Sequence, residues 1–299
     1  MPKLMASFLK TRSRRTGEGE MAGGGRGRSS AIAAPRPYWP GGGTNGGPRK
    51  YFIAWMEEQK IISEKGDEEV AAYTLYLESG PMRKKTMIHV FDLLGCIVQG
   101  ATTEAALEDA PRAIRSYLEF LRRHGEDAHP DEEIQTRIAE HNTNGEWIGS
   151  GHFSADLEPL VPEELERYVR RLEWSRAEVL ELVSGLSEVQ MAEKPLSGGR
   201  PVKAILEHIF GAEYSYTRHF GKLDGIRGSG TNVSRSKEAL LTWMGVLRES
   251  EIKKLRSLSR KELSEPFVLS KSTHTARRLV RRMLEHEWEH LVELKKRLL

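Results

Sequence analysis

The sequence of Met283–Leu291 reads MLEHEWEHL, and this stretch decides the fold of the C-terminal half. His286 and His290 are four residues apart, so on an α-helix they lie on one face, a turn from each other. They interrupt an apolar seam with steps of three or four residues, formed by Leu279, Met283, Leu294 and Leu298. Such a seam packs inward, and burying two imidazole rings without partners is costly. The stretch therefore predicts an amphipathic helix with two inward histidines, which a shared metal ion would satisfy.

A second segment repeats this spacing and places His208 on its inward side, in a seam made of Val202, Ile205, Ala212 and Tyr216. Neutral imidazoles are good ligands for Zn, Ni and Fe, and three of them leave coordination positions open. We therefore predict that His208, His286 and His290 bind one divalent metal ion inside a helical bundle. The alternative is that the three rings are hydrogen-bonded core residues. Glu213 and Tyr216 are the candidates for catalytic proton transfer beside the metal.

His286–His290 also matches the HExxH pattern of zinc proteases. Those enzymes need a third ligand well downstream and a strand edge that holds the peptide. Only nine residues follow His290, and none of them is a histidine. The pattern therefore does not favour a protease.

Other polar side chains near this stretch are predicted to lie outside the site. Glu287 is about 100° around the helix from His286, which predicts a solvated carboxylate. His219 is expected at the end of the bundle and His274 at the surface. A solvated helix face is also the expectation for four basic residues: Arg277, Arg278, Arg281 and Arg282.

Length and composition fit a globular protein with two domains. No apolar run is long enough to span a membrane, and the single cysteine, Cys96, fits a reducing cytoplasm. The net charge of +3 is uneven, since residues 1–50 hold ten Lys or Arg and two Glu. That segment carries +8 and leaves −5 for the rest, so the body of the protein gives no indication of nucleic-acid binding.

The chain is predicted to start with a basic tail rich in Gly and Arg over residues 1–70, which cannot bury enough apolar surface to become ordered. Three extended runs, a helix capped by Thr102 or Thr103, and a fourth extended run follow. This order of elements, βββαβ, predicts a small α+β domain over residues 71–150. A linker is expected at residues 151–161.

Four amphipathic helical segments are predicted in the C-terminal half. The simplest arrangement that buries their apolar faces is an all-α, up-down four-helix bundle over residues 162–299. The four segments are Pro162–Leu186, Arg200–Phe220, Ser234–Ser259 and Thr273–Leu298.

Two parts of the N-terminal domain, Asp92–Cys96 and Gly100–Ala106, resemble the HicB-like antitoxin family, together with the spaced alanines Ala110 and Ala113. The resemblance covers about residues 71–141. It implies a HicB-like fold and a protein partner such as a small RNase toxin.

Leu206–Tyr214 and Leu284–His290 resemble the second-helix and fourth-helix motifs of the DinB-like superfamily of metal-binding bundles. The resemblance covers about residues 162–299. It implies a divalent ion (Zn, Ni or Fe) on the three histidines and a metal-dependent transferase or hydrolase for a small-molecule substrate. It also implies a low-molecular-weight thiol as co-substrate, and a homodimer. The alternative is an interaction or antitoxin-type protein, whose HicB-like domain binds a partner while the bundle is a scaffold.

Overall fold

The computed structural model describes residues 72–80, 83–143, 149, 151–196, 198–223, 226, 236–269 and 272–299. All of these residues belong to one compact unit. The predicted tail at residues 1–70 lies outside them.

The N-terminal part forms a four-stranded sheet with one helix. The strands are β1 (Ala72–Gly80), β2 (Arg83–Val90), β3 (Ile97–Gly100) and β4 (Gln135–Asn142), and helix α1 (Thr103–Arg123) precedes β4. The strand order is β3-β2-β1-β4, with β4 parallel to β1 and the other pairs antiparallel. The order of strands and helix agrees with the sequence prediction, and the HicB-like assignment stays a prediction.

Alternation along the strands separates the two faces of this sheet. Leu75 lies opposite Val90, and Leu77 lies opposite Ile88, so these buried side chains share one face. The other face carries polar side chains, and one of them is the fully buried His89. Helix α1 begins where predicted, because the Thr102 hydroxyl accepts a hydrogen bond from the Ala105 N–H at 3.2 Å.

The C-terminal half is helical, as predicted. Its long helices are α2 (Pro162–Ser184), α4 (Val202–Thr217), α5 (Lys237–Arg256) and α7 (Ala276–Leu298), and the short ones are α3 (Glu188–Ala192) and α6 (Arg260–Ser264). Helix α2 packs mainly against α5 and α7, and α4 packs against the same two helices. Consecutive long helices α2 and α4 therefore lie diagonally, which differs from the neighbour order of a simple up-down bundle.

A small hairpin before α7 was not predicted. Strands β5 (Phe267–Leu269) and β6 (Ser272–His274) pair antiparallel, and β6 includes the first two residues of the helical segment predicted at Thr273–Leu298. Three-residue strands are too short to show a clear alternation of apolar and polar residues. No helix in the described part of the chain is long and apolar enough to cross a bilayer.

Helix α7 is the element that joins the sheet to the bundle. Glu285 on α7 pairs with His89 on β2 at 2.7 Å. The Trp288 ring lies 4.8 Å from the ring of Tyr117 on α1, centroid to centroid. One apolar core cluster contains strand, α1 and bundle side chains together. Helix α7 is therefore held in place by contacts with the sheet part and with the bundle.

Candidate metal centre

The structure brings the three predicted ligands together. His208 comes from α4, and His286 and His290 come from adjacent turns of α7. The ring centroids are separated by 4.8 Å for His208 and His286, 5.0 Å for His208 and His290, and 4.6 Å for His286 and His290. One ring nitrogen from each residue lies within 4.8 Å of the other two. This is the one such group of three or more metal-binding side chains among the described residues.

The donor set fits a divalent ion. The Nε2 atoms of His208 and His286 are 3.0 Å apart. Two nitrogens bound to one zinc ion at about 2.0–2.1 Å in tetrahedral geometry would lie about 3.3 Å apart, so this pair needs little movement, whereas the three ligand atoms together lie within 4.8 Å of one another and would have to move closer. The same separation also suits a hydrogen bond between the two rings, which would leave His290 outside the pair.

Glu293 orients the third ring. Its Oε2 atom lies 2.8 Å from Nδ1 of His290, so a proton on Nδ1 is donated to the carboxylate. That tautomer leaves Nε2 of His290 with its lone pair free for a metal ion. Sequence reasoning missed Glu293, although its position three residues after His290 on a helix was a usable signal.

Electrostatics keep the two other rings neutral. Burial, followed by the neighbouring His290 and Arg200, lowers the pKa of His208 to about 4, while Glu289 and Glu293 oppose this shift. Burial, followed by His290 and His208, lowers the pKa of His286 to about 2. Both imidazoles are therefore unprotonated at neutral pH, which is the form that binds metals.

A cavity of about 540 Å³ opens beside His290. Its walls come from β3, α1 and α7, together with Arg200 before α4. Glu289 and Glu293 line this cavity and also act electrostatically on His208, so the cavity and the three-histidine group are neighbours. A volume of this size is typical of small-molecule sites.

Glu287 is not solvated, and that expectation was wrong. Its side chain is 2% exposed, and its Oε1 accepts from Nε of Arg176 at 2.7 Å. Arg248 donates to the other oxygen. The glutamate of the HExxH pattern is thus held in a buried ion-pair cluster, because partners from α2 and α5 that are distant in sequence converge on it.

Glu213, the first candidate for proton transfer, lies in the same cluster. Burial alone would raise the pKa of Glu213, but Arg176 and Arg248 lower it. Burial, followed by Glu213, raises the pKa of Glu251, while Arg248 lowers it. The contacts of Glu213 are therefore with arginines rather than with the three imidazoles.

Tyr216, the second candidate, lies nearer to the histidines. Its ring centroid is 6.1 Å from that of His286, and its side chain interacts electrostatically with Arg282. This tyrosine is partly buried. Of the two predicted proton-transfer residues, Tyr216 is therefore the one that lies close to the three histidines.

The four arginines in the first two turns of α7 are buried, which corrects the expectation of a solvated face. None is more than 8% exposed. Arg277 pairs with Glu164, Arg281 with Asp156, and Arg282 with Glu285. Arg278 contacts His274, which is itself buried rather than at the surface. Glu164 and Asp156 are more than a hundred residues away in the sequence, so local charge patterning did not reveal these two pairs.

Comparisons with known proteins give one family and one structure. No curated protein matches the chain. A matching solved structure is YfiT from Bacillus subtilis, described as "a probable metal-dependent hydrolase with an unusual four-helix bundle topology". It is 19% identical with a TM-score of 0.34, over 47% of this chain and 90% of that chain. Residues 171–294, which include all three histidines, match the family model of the DinB superfamily.

Proposed function

We propose that this protein is a metal-dependent enzyme of the DinB type that acts on a small molecule. The observation that carries this proposal is the convergence of three imidazoles from α4 and α7, one of which, that of His290, also lines a cavity. The family match over residues 171–294 supports it. Such a site suits hydrolysis, or transfer that uses a low-molecular-weight thiol as nucleophile.

In this proposal His208, His286 and His290 hold one divalent ion, with Zn, Ni or Fe as the candidates. When bound, the ion acts as a Lewis acid that activates a water molecule, a thiol or a substrate oxygen. Glu293 fixes the orientation of His290 through its Nδ1 proton. Tyr216, which interacts electrostatically with Arg282, is the candidate for moving a proton near His286.

The protein's own residues also argue against the protease chemistry of the HExxH pattern. That chemistry needs the glutamate as a general base next to the metal. Here the two oxygens of Glu287 accept hydrogen bonds from Arg176 and Arg248 inside the bundle, so the carboxylate is already engaged. A small molecule that enters from the cavity side would meet His290 and Glu289 instead.

Metal analysis of the purified protein tests the proposal. Wild-type protein loaded with Zn²⁺ or Ni²⁺ and then desalted should retain one ion per chain by inductively coupled plasma mass spectrometry. His286→Ala and His290→Ala should each lose it, because two imidazoles bind an ion much more weakly than three. Tyr216→Phe should retain it, since the proposed role of Tyr216 is proton transfer.

The matched control is His129→Ala, which removes an exposed histidine from another part of the chain. It should keep the same metal content as the wild type. Stoichiometric metal in the His286→Ala and His290→Ala double variant would overturn the proposal. Metal-free wild-type protein after loading would do the same and would favour a hydrogen-bonded trio of core histidines.

A further inference from the structure

The cavity beside His290 has an apolar floor and a charged rim. The floor is formed by Ile97 and Val98 on β3 and by Trp288 and Val292 on α7. Trp288 is 5% exposed and is packed against Tyr117 and Phe120, so the floor is rigid. A floor of this kind offers a contact surface for a flat or branched apolar group.

The rim carries three cationic and three carboxylate side chains, so its formal charges balance. All three carboxylates are already engaged. Asp109 accepts two hydrogen bonds from Arg112, at 2.6 and 2.7 Å, and Glu289 accepts one from Gln99 at 2.7 Å. Glu293 accepts from His290 and from Arg297. Asp109 and Glu293 are paired with arginines, whereas Glu289 accepts from a neutral amide and, within the described part of the chain, has no cationic partner.

Two cationic side chains of the rim are less strongly paired. Arg200 lies 3.5 Å from Glu293, whose oxygens already accept shorter hydrogen bonds, and its side chain is 43% exposed. Lys296 is exposed, and within the described part of the chain no carboxylate pairs with it. A divalent ion on the three histidines would add further positive charge to one wall. The electrostatic balance of the cavity therefore favours an anion.

We propose that this cavity is the substrate pocket of the metal centre and that it binds a small molecule with an apolar body and an anionic group. The apolar body lies on the floor around Trp288, and the anionic group pairs with Arg200 and Lys296. This inference rests on the proposed function, because the metal-binding His290 forms part of the pocket wall.

The inference also gives the N-terminal sheet a functional role. Strand β3 and helix α1 supply about half of the pocket wall, including Val98 and Ser116. Gln99 on β3 holds Glu289 on α7, so the two walls are joined across the pocket. Substrate binding would therefore depend on the sheet as well as on the bundle.

Two dyes with the same aromatic rings test the ligand class. 8-Anilino-1-naphthalenesulfonate is apolar and anionic, and N-phenyl-1-naphthylamine lacks the sulfonate. Fluorescence titration of the full-length, metal-loaded protein should show tighter binding of the sulfonate dye. The Arg200→Gln and Lys296→Gln double variant should weaken the sulfonate dye by about fivefold, as expected for partly exposed ion pairs, and leave the neutral dye unchanged.

A second variant tests the location. Ser116→Trp fills the pocket from the exposed face of α1 and should weaken both dyes by about tenfold or more. The matched control is Ala105→Trp, which adds the same side chain at an exposed α1 position outside the pocket. Circular dichroism should show that both tryptophan variants are folded.

The outcomes separate this inference from the proposed function. The inference would be overturned if Ser116→Trp left the affinity for the dyes unchanged. It would also be overturned if the Arg200 and Lys296 double variant lost affinity equally for both dyes. The metal content of the same samples decides the proposed function independently. Retained metal with misplaced dye binding would refute only the pocket, whereas absent metal would refute the metal centre and with it the assignment of the pocket to that centre.

Discussion

At the scale of single residues, Glu293 is the strongest case of a side chain that acts through another. It accepts the Nδ1 proton of His290 and is itself held by Arg297 at 2.6 Å. We predict that Glu293→Ala lowers metal affinity by about 10- to 100-fold, because the ring of His290 loses its fixed tautomer and orientation. The measurement is competition for Zn²⁺ against a chelator indicator.

Glu249→Ala is the control for this prediction, because it removes an exposed carboxylate from α5 with no contact to the three histidines. Its metal affinity should equal that of the wild type. An unchanged affinity in Glu293→Ala would show that the packing of α7 alone positions His290. Glu293 would then have no part in metal binding.

His274 offers a prediction about pH, because it is a buried ring that faces other basic groups. Burial, followed by His219, Arg278 and His152, lowers the pKa of His274 to about 4. In the unfolded chain the ring has an ordinary pKa near 6.5. As the pH falls from about 6.5 to about 4, the unfolded state therefore takes up a proton that the folded state refuses, and the free energy of unfolding decreases.

The variant His274→Gln removes this titration. We expect the free energy of unfolding of the wild type, relative to that of the variant, to be constant above about pH 7 and to decrease between pH 6.5 and 5. Urea denaturation at several pH values measures the difference. Parallel pH curves for the two proteins would show that His274 titrates normally in the folded state.

At the scale of elements, α7 combines two tasks: it carries two metal-binding histidines and a row of buried arginines. Arg281 is fully buried and donates to Asp156 at 2.8 and 2.9 Å and to Glu285 at 3.0 Å. We predict that Arg281→Met lowers the free energy of unfolding by about 3–5 kcal/mol, because Asp156 is left buried without its cation and Glu285 loses one of its two arginines. Urea denaturation at neutral pH measures the loss.

Arg256→Met is the matched control, since it removes an arginine that pairs with Glu166 on the surface. Both side chains of that pair are nearly half exposed. Its loss should cost less than about 1 kcal/mol. Similar losses in the two variants would mean that solvent reaches the Arg281 cluster and screens its charges.

The elements also show what the sequence can predict. The long helices and the two histidine seams are visible because a period of three to four residues is a local signal. The buried ion pairs are not, since Arg281 meets Asp156 and Arg176 meets Glu287 across more than a hundred residues. A charged side chain in a helix gives the same local pattern whether it faces water or a distant carboxylate. Glu287 and the α7 arginines were misjudged for that reason.

At the scale of the whole molecule, the sheet and the bundle share buried contacts. His89 is completely buried and lies between Glu78 on β1 and Glu285 on α7, at 2.9 and 2.7 Å. Arg171 on α2 donates to the carbonyl of Leu94 at 3.0 Å. Separating the two parts would leave these charged and polar groups without their partners, at a cost of several kcal/mol.

The sequence predicted two domains, at residues 71–150 and 162–299, and their independence stays a prediction that unfolding can decide. Cys96 is the single cysteine, it is completely buried in the sheet part, and burial raises the pKa of its thiol. It therefore reacts with a thiol reagent only after its surroundings open. The helices give a separate signal in far-ultraviolet circular dichroism.

We expect Cys96 labelling and the loss of helical signal to follow one transition in urea, because the contacts of His89, Arg171 and Trp288 join the sheet to the bundle. Labelling in short pulses at each urea concentration measures the first, and circular dichroism measures the second. If Cys96 reacts at lower urea while the helices persist, the sheet is an independent domain. The pocket wall that β3 and α1 contribute would then open without the metal centre. Coincident transitions would instead make sheet and bundle one folding unit, in which substrate pocket and metal ligands are lost together.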